Sequence, residues 1–402
     1  MNTRQPESLR IFIASETPLN HRNGVANSVL QVLPEFKAQG HEVMIMCPKP
    51  AEDSYSGFPV VKTKKVKIPG YNFNLGIPSL AFVERTMKEF QPAVVYSASP
   101  YLLGGHAVRA ANNFLLPSVS NYQSRVEMFG NNAAEKIFKD KKVRKAVVDG
   151  FGKSVIKRTK RIYNHSTLAL VPSNASQDDL LRYNIHTLIR QWGRGVDGVL
   201  YHPDKKQLDH VKEQRRVWSN NGEKVIAICV GRLSPEKRVE RLAALKETGV
   251  QIVVVGKGEK AYEKLLRSEL PEGTIFTGEL TGEELATAVS AAHFSIHTGT
   301  EDTFGQTVQE AMAAGNPVIA PSAGGPAEIV THGRTGLIYD AEDDRALRDM
   351  AILLRDNELM RNEMGRNGRR EVEDKTWSRY AGLLIDYFYE AIDIQGIELA
   401  HR

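Results

Sequence analysis

The chain has 402 residues, of which 41% are hydrophobic, 25% charged and 7% aromatic. This composition is typical of a globular protein of about two domains, and it excludes a disordered or fibrous chain. The two cysteines, Cys47 and Cys229, lie in apolar runs far apart in the sequence. A disulfide framework and a cysteine metal site are therefore both disfavoured, and a reducing compartment fits.

No stretch of the sequence approaches the roughly 18 apolar residues of a membrane-spanning helix, and the mean hydropathy is −0.34. The polar segment Met1–Arg10 precedes an apolar run that is too short for the core of a signal peptide. We therefore expect a cytoplasmic protein that reaches a membrane only by docking on its inner face.

The net charge of +5 at pH 7 comes from one segment. Lys136–Arg161 carries eleven Lys and Arg residues against two Asp residues, interleaved with apolar side chains. A basic amphipathic surface of this kind suits an anionic membrane. A plain solvated surface is an alternative. Nucleic acid is a weaker one, because no aromatic stacking platform or recognisable binding motif accompanies the charge.

Short apolar runs alternate with helical patterns along the first half, which is typical of a parallel sheet covered by helices. The strands predicted there are Arg10–Ser15, Val43–Cys47, Val60–Val61, Val66–Ile68, Ala93–Tyr96, Pro117–Asn121 and Leu168–Val171, the last of which closes this half. The helices predicted there are Asn27–Gln39, Leu80–Phe90 and Leu103–Phe114.

A second series of the same kind follows the turn-rich segment Val199–Asp204. Its predicted strands are Lys224–Gly231, Gln251–Gly256, Thr274–Gly278, Phe294–Thr298 and Pro317–Pro321. Its predicted helices are Lys237–Thr248, Ala261–Glu269, Glu283–Ala292 and Thr307–Ala314. Two such series, joined near residues 190 to 205, predict two Rossmann-like domains. From Tyr380 onwards, apolar residues recur at helical spacing and predict a final helix with one buried stripe.

Ligands of open α/β sheets bind at the carboxyl ends of the strands, and two facing domains would place the site in the cleft between them. After the strand that ends at Gly231, Ser234 and Pro235 suit a helix N-terminus, and Arg232 and Lys237 lie beside it. Two cations beside the positive end of a helix form a site for a diphosphate. Two solvated side chains are the alternative interpretation.

Two acidic residues follow the strand that ends near Thr298. Asp302 lies in the loop, and Glu310 falls on the next helix. At about 1.5 Å per helical residue, the two carboxylates are too far apart to flank one bond as a glycosidase pair does. They would instead bind different parts of a long ligand, with the amides of Gly305 and Gln306 between them.

Near the start of the chain, Gly24 allows a ligand to approach the backbone at the N-terminus of the following helix, or it serves the turn alone. The sequence contains no Asp-x-Asp, His-Glu-x-x-His, Walker A or Gly-x-Ser-x-Gly motif, which disfavours metal-dependent hydrolysis and serine chemistry. Gly256-Lys-Gly258 lacks the third glycine of a dinucleotide fingerprint, which disfavours a dehydrogenase.

The segment Asp302-Thr-Phe-Gly-Gln-Thr-Val-Gln-Glu310 resembles the acidic-x7-Glu signature of retaining glycosyltransferases with the two-domain GT-B fold. Arg232 and Lys237 match the diphosphate-binding pair of that family, and Gly193-Arg-Gly-Val-Asp197 resembles its interdomain linker. Four segments look most like the GDP-mannose-dependent α-mannosyltransferases that build glycolipids in actinobacteria: Asn23–Val29, Gly57–Val61, Ile68–Gly70 and Phe304–Glu310.

The resemblance implies an α/β GT-B fold, with two Rossmann-like domains facing across a cleft. Residues 1–195 would form an acceptor-binding domain and residues 196–377 a donor-binding domain, with a final helix over 378–402 packing back on the first. The segment Arg190–His202 would be the hinge of domain closure. The oligomeric state does not follow from the sequence.

The resemblance also implies a role for each matching residue. Arg232 and Lys237 would stabilise the departing diphosphate in place of a metal, and Asp302 would bind hydroxyl groups of the transferred sugar. The other donor-binding residues would be Gly24, Phe304, Gly305, Gln306, Thr307 and Glu310, with Glu310 on the ribose. No metal and no cofactor beyond the nucleotide-sugar co-substrate is expected.

The chain departs from the family at two places. Asp302 stands where Glu is usual and is one methylene shorter. Gln123-Ser-Arg125, in the expected acceptor region, stands where many relatives carry His or Gln-Thr-Asp. The expected reaction is a retaining, metal-independent hexosyl transfer from GDP-mannose to a lipid or glycolipid hydroxyl. Two alternatives stay open: a UDP-sugar-dependent transferase, and a non-catalytic protein that binds a sugar nucleotide or an anionic lipid.

Overall fold

The computed structural model describes residues 8–20, 23–67, 74–125 and 141–401. The chain divides into two compact units. The first unit comprises Met1–Gly193 together with Trp377–Arg402, and the second comprises Arg194–Thr376. Each unit has a parallel sheet with helices packed on it, as the alternation of apolar runs and helical patterns predicts.

The first unit contains ten strands and six helices among its described residues. The strands are β1 (Arg10–Ala14), β2 (Glu42–Pro48), β3 (Ser54–Tyr55), β4 (Phe58–Thr63), β5 (Lys65–Lys67), β6 (Asn74–Gly76), β7 (Val94–Ser97), β8 (Ser118–Asn121), β9 (Leu168–Val171) and β10 (Ile189–Gln191). The helices before the second unit are α1 (Gly24–Ala38), α2 (Leu80–Phe90), α3 (Leu103–Asn113), α4 (Lys141–Tyr163) and α5 (Asn174–Arg182).

The described strands of the first unit form an eight-stranded sheet in the order β10-β9-β8-β7-β1-β2-β4-β3, and β5 pairs separately with β6. Every neighbouring pair of the large sheet is parallel except β3 and β4. The expectation that Leu168–Val171 closes this half is wrong, because α5 and β10 follow it. The short strand β10 carries Arg190 and Gln191, so no apolar run marks it in the sequence.

The second unit contains the strands β11 (Ile226–Val230), β12 (Gln251–Val255), β13 (Ile275–Gly278), β14 (Phe294–Ile296), β15 (Val318–Pro321) and β16 (Gly336–Tyr339). They pair in parallel in the order β13-β12-β11-β14-β15-β16. Its helices are α6 (Asp209–Trp218), α7 (Lys260–Glu269), α8 (Gly282–Ala291), α9 (Gln306–Ala313), α10 (Pro326–Ile329), α11 (Asp344–Asp356) and α12 (Glu358–Val372).

The predicted α-helix over Lys237–Thr248 is wrong. Two 3₁₀ helices lie there, Pro235–Lys237 and Val239–Leu245, and they are separated by Arg238 in the left-handed region at φ 51° and ψ 37°. Val239, Leu242 and Leu245 are buried at a spacing of three residues. This spacing places them on one face of a 3₁₀ helix, which has three residues per turn.

The last helix, α13 (Trp377–Ala400), packs on the first unit. Phe388 is fully buried, with its ring centroid 5.6 Å from that of Tyr96. Glu390 accepts hydrogen bonds from Arg190 at 2.6 and 3.2 Å. The apolar stripe of this helix is therefore part of the core of the first unit. Among the described residues, no helix is both long and apolar enough to cross a membrane.

Candidate active site

Two loops of the second unit, which follow β11 and β14, meet at the carboxyl edge of its sheet, where open α/β sheets bind their ligands. The ammonium group of Lys237 donates to Oδ1 of Asp302. The backbone carbonyl of Lys237 accepts a hydrogen bond from Oγ1 of Thr298 at 2.7 Å. The structure thus brings together two of the residues singled out in the sequence, from loops 65 residues apart.

Asp302 has a basic side chain at each carboxylate oxygen. Oδ1 accepts from Lys237, and Oδ2 lies 2.7 Å from Nε2 of His297. Burial alone would raise the pKa of Asp302, but the charge of Lys237 and the contact with His297 outweigh it and hold the pKa well below its usual range. Asp302 is therefore ionised at physiological pH. The sequence analysis missed His297, because it falls within the segment predicted as a strand.

Glycines hold the Asp302 loop in close contact with its neighbours. A Cβ on Gly325 would lie 2.5 Å from Cα and O of Phe304, and the amide of Gly325 donates to the carbonyl of Asp302 at 2.8 Å. Gly305 takes φ 105°, in the left-handed region, directly before α9. A side chain at either glycine would displace the loop. These contacts fix the position of Asp302 relative to the start of α9.

Arg232 does not share the contact between Lys237 and Asp302. Its guanidinium donates to Oε1 of Glu236 at 2.5 Å, and its side chain remains 55% exposed. Ser234 makes no capping hydrogen bond and instead donates to Glu236 at 2.7 Å. The prediction that an α-helix begins here is wrong, because Pro235–Lys237 forms a short 3₁₀ helix. The two cations are present, but each lies against a carboxylate of the chain.

Glu310 lies half-buried on α9. Burial raises its pKa to about 7, although the side chains of Gln306 and Tyr201 hydrogen-bond to its carboxylate. Gln306 also donates to the carbonyl of Gly195 at 3.1 Å. Tyr201 is buried, and the sequence did not indicate it because it stands in the turn-rich segment.

Two further predicted donor-binding residues lie near the start of α9. The buried ring of Phe304 lies 5.9 Å from the guanidinium carbon of Arg194. Thr307 is half-buried on the first turn of α9.

A groove of about 450 Å³ opens at the ends of β12 and β13. Its lining includes Gly256, Lys257, Phe276 and Glu279. A Cβ on Gly256 would lie 1.8 Å from the carbonyl oxygen of Gly231, so the loops after β11 and β12 are in backbone contact. Gly256-Lys-Gly258 is the sequence signal for this groove, and it matches only part of a dinucleotide fingerprint.

The remaining predicted site residues belong to the first unit. Gly24 is the first residue of α1, and Asn23 caps that helix by accepting from the amide of Ala26 at 2.8 Å. Gln123 is buried, accepts from Ser28 at 3.0 Å and donates to the carbonyl of Ala98 at 3.3 Å.

Arg125 also makes a contact within the first unit. Its Nε donates to Asp179 at 2.6 Å, and the carboxylate of Asp179 also pairs with Arg182. Arg125 and Arg182 line a second groove, of about 470 Å³.

Glu16 is a buried carboxylate that the sequence analysis missed. It follows β1, and its Oε1 accepts from the amides of Tyr101 and Gly104 at 2.9 and 2.8 Å. It thereby caps α3, whose own capping residue makes no side-chain hydrogen bond. Its Oε2 is buried without a hydrogen-bond partner among the described residues. Burial raises the pKa of Glu16 to about 7, against the lowering effect of these amides.

The basic segment Lys136–Arg161 is described only in part. Its residues before Lys141 lie outside the described ranges, and the remainder belongs to α4. On the last part of this helix, the side chains of Lys153, Lys157 and Arg161 are exposed, whereas Thr159 and Ile162 are buried. Throughout the described ranges, no group of three or more His, Cys, Asp or Glu residues is placed to hold a metal ion.

Comparison with known proteins identifies the family. The family model described as "Glycosyl transferases group 1" matches residues 210–371, and that of "Glycosyltransferase Family 4" matches residues 22–198. The chain belongs to these glycosyltransferases. It is therefore an enzyme of the family that the acidic-x7-Glu signature indicated.

Two relatives named "GDP-mannose-dependent alpha-mannosyltransferase" match this glycosyltransferase over most of their length. The one from Corynebacterium glutamicum is 33% identical, over 96% of this chain and 89% of its own. The one from Mycolicibacterium smegmatis is 34% identical, over 96% of this chain and 98% of its own. The crystal structure of HepE from Anabaena with UDP is 16% identical, with a TM-score of 0.74 over 95% of this chain and 100% of its own. The predicted GT-B fold is confirmed.

The free energy of unfolding of the first unit should depend on pH through Glu16. Its folded pKa of about 7 lies above the ordinary value of 4.5, so the folded state holds the proton more tightly. Stability from this residue is present below about pH 4.5 and falls as the pH rises towards 7. Glu16→Gln keeps an oxygen for the two amides and cannot ionise.

We expect the free energy of unfolding of Glu16→Gln, measured by urea titration, to rise relative to that of the wild type as the pH increases from 5 to 7. The gain over these two pH units should be about 2 kcal/mol, because the slope is at most about 1.4 kcal/mol per pH unit and falls off near each of the two pKa values. A difference between the two proteins that stays constant across this range would show that Glu16 does not carry the titration.

Proposed function

We propose that this glycosyltransferase transfers mannose from GDP-mannose to a hydroxyl group of a lipid or glycolipid, with retention at the anomeric carbon and without a metal ion. The contact between Lys237 and Asp302 carries the proposal, because it joins the cation assigned to the diphosphate to the acid assigned to the sugar. Identity of 33 to 34% to two GDP-mannose-dependent mannosyltransferases supports the donor.

Lys237 and Arg232 are the cations assigned to the donor diphosphate. Both have carboxylate partners within the chain, Asp302 and Glu236 respectively. Phosphate oxygens can replace these carboxylates, since they offer the same charge-assisted hydrogen bonds. Donor binding would then exchange one anion for another, so neither cation has to be buried without a counter-charge.

In the proposed reaction, the bond between the anomeric carbon and the β-phosphate oxygen breaks while the acceptor oxygen bonds to the same face of the sugar. The proton of the acceptor hydroxyl passes to the departing phosphate. Negative charge on the leaving diphosphate grows in the transition state, and the fixed charges of Lys237 and Arg232 stabilise it there. This front-face route requires no carboxylate nucleophile.

The rest of the donor is assigned to the neighbouring surface. Glu310, fixed by Tyr201 and Gln306, is positioned on α9 to accept hydrogen bonds from ribose hydroxyls. The amides of Gly305, Gln306 and Thr307 at the start of α9 suit a phosphate or sugar oxygen. The groove beside Lys257 and Phe276 is assigned to the base, with Phe276 as an aromatic surface. Gln123 and Arg125 of the first unit are assigned to the acceptor side, and Gly24 keeps the donor-binding role that the resemblance implies.

An assay with radiolabelled GDP-mannose, a membrane lipid extract and EDTA tests the proposed function. We expect a radiolabelled lipid product whose yield EDTA does not change. If product forms only with UDP-glucose, the donor is a UDP-sugar and not GDP-mannose. Binding of the nucleotide sugar without any turnover would contradict the enzymatic proposal, and loss of product in EDTA would contradict its metal independence.

Lys237→Ala should lower turnover at least about 100-fold, the scale for losing one preorganised charge contact to a developing anion. Lys246→Ala, an exposed lysine of the same unit, serves as the matched control and should retain full turnover. Initial rates at saturating donor, with folding checked by circular dichroism, measure the effect. Near-normal turnover of a folded Lys237→Ala protein would remove Lys237 from the mechanism.

We also propose that α4 docks on the anionic inner face of the plasma membrane, where a lipid acceptor would be found. The exposed cations Lys153, Lys157 and Arg161 support this proposal. Each basic residue near an anionic lipid surface contributes about 1 kcal/mol. The docking would keep a protein of the cytoplasm at the surface that holds its acceptor.

Reversing two of these charges, in Lys153→Glu with Lys157→Glu, should weaken binding to phosphatidylglycerol vesicles at least about tenfold. The matched control reverses Lys212 and Lys224, two exposed lysines of the second unit, and should bind as the wild type does. Vesicle sedimentation measures both. Equal binding by all three proteins would leave α4 as a solvated surface.

A further inference from the structure

His297 lies against the carboxylate of Asp302, and the roles assigned in the proposed function do not account for it. Its side chain is 8% exposed, and its Nε2 is 2.7 Å from Oδ2 of Asp302. Nε2 makes no hydrogen bond of regular geometry with any described residue. A small movement of Asp302 would bring this nitrogen into a regular hydrogen bond with its carboxylate.

The surroundings hold the imidazole in this position. The backbone amide of His297 donates to the carbonyl of Ile319 at 2.8 Å, which fixes the residue to β15. A Cβ on Gly299 would lie 3.3 Å from both Nε2 of His297 and Oδ2 of Asp302, and 3.4 Å from Cδ of Lys237. A side chain at position 299 would therefore crowd all three side chains, and glycine leaves them in their places.

Two side chains, those of Lys237 and His297, divide the carboxylate of Asp302 between them. Lys237 contacts Oδ1 and His297 approaches Oδ2. If the donor diphosphate takes Lys237, as the proposed function requires, Oδ1 loses its partner and can accept a sugar hydroxyl. Of these two contacts to the Asp302 carboxylate, one is then lost, and its orientation depends on the other. His297 is the side chain that remains in contact with it.

We propose that His297 is a positioning residue that holds Asp302 towards the sugar of the donor once Lys237 has moved to the diphosphate. The inference rests on the proposed function and deepens it. It assigns His297 to recognition of the transferred sugar and not to recognition of the nucleotide. It also explains how an acid one methylene shorter than the usual one serves this site, because the ring behind it prevents withdrawal from the sugar.

Two substitutions separate this role from a structural one. The side-chain amide of Gln can occupy the position of Nε2, so His297→Gln should preserve the contact with Asp302. The amide of Asn is one methylene shorter and cannot reach it, so His297→Asn should lose the contact. His293→Asn is the matched control, since His293 is a half-buried histidine next to β14 whose Nδ1 accepts from the amide of Ile226 at 2.9 Å.

Calorimetric titration with GDP and with GDP-mannose tests the proposal. We expect His297→Asn to bind GDP within about twofold of the wild type and to bind GDP-mannose about tenfold more weakly, the scale for losing a hydrogen bond to a charged group. His297→Gln should stay within about threefold of the wild type for both ligands. In the Asp302→Asn background, His297→Asn should cause no further loss, because both act on the same contact.

Three results would overturn the proposal: unchanged GDP-mannose binding in His297→Asn, equal weakening of GDP and GDP-mannose, or the same loss in His297→Gln as in His297→Asn. If His297→Asn does not fold, as judged by near-ultraviolet circular dichroism, the comparison between His297→Gln and the wild type still decides. A wild-type protein that binds neither nucleotide would refute the proposed function itself, and that result is visible before any variant is measured.

Discussion

The ion pair between Lys237 and Asp302 joins the two loops on which the donor site depends. It connects the end of β11 to the loop after β14, two neighbouring strands of the second sheet. Without it, the half-buried ammonium of Lys237 and the half-buried carboxylate of Asp302 would each lack this counter-charge. A partly buried charge is costly unless it is paired. The pair therefore fixes the geometry of the loops before any donor is present.

In the proposed function, the same pairing would let the site bind a diphosphate without a metal ion. Both cations lie against carboxylates of the chain, and the incoming phosphates would replace those carboxylates. The Asp302 carboxylate released from Lys237 would then accept a sugar hydroxyl while it stays in contact with His297. Binding of the diphosphate would thereby prepare the contact to the sugar through three side chains of one unit.

The sequence predicted those features of the site that rest on local pattern. Most of the strands followed from continuous apolar runs, although β3, β6, β10 and β16 were not predicted. The helix α2 was predicted with its observed bounds, Leu80–Phe90. The grouping of Lys237 with Asp302 followed because parallel strands bring their carboxyl ends to one edge. The 3₁₀ helix after Arg238 was missed because an apolar spacing of three residues fits both helix types. Glu16, Tyr201 and His297 were missed because their significance lies in long-range contacts, such as the bonds of Glu16 to amides 85 and 88 residues away.

A crystal structure of this glycosyltransferase with intact GDP-mannose, grown in EDTA, would test the exchange of anions most directly. The account predicts the diphosphate on Lys237 and Arg232, and Asp302 turned from Lys237 to a sugar hydroxyl while still touching His297. A diphosphate bound elsewhere, or a Lys237 that keeps its carboxylate partner beside an unbound phosphate, would contradict it.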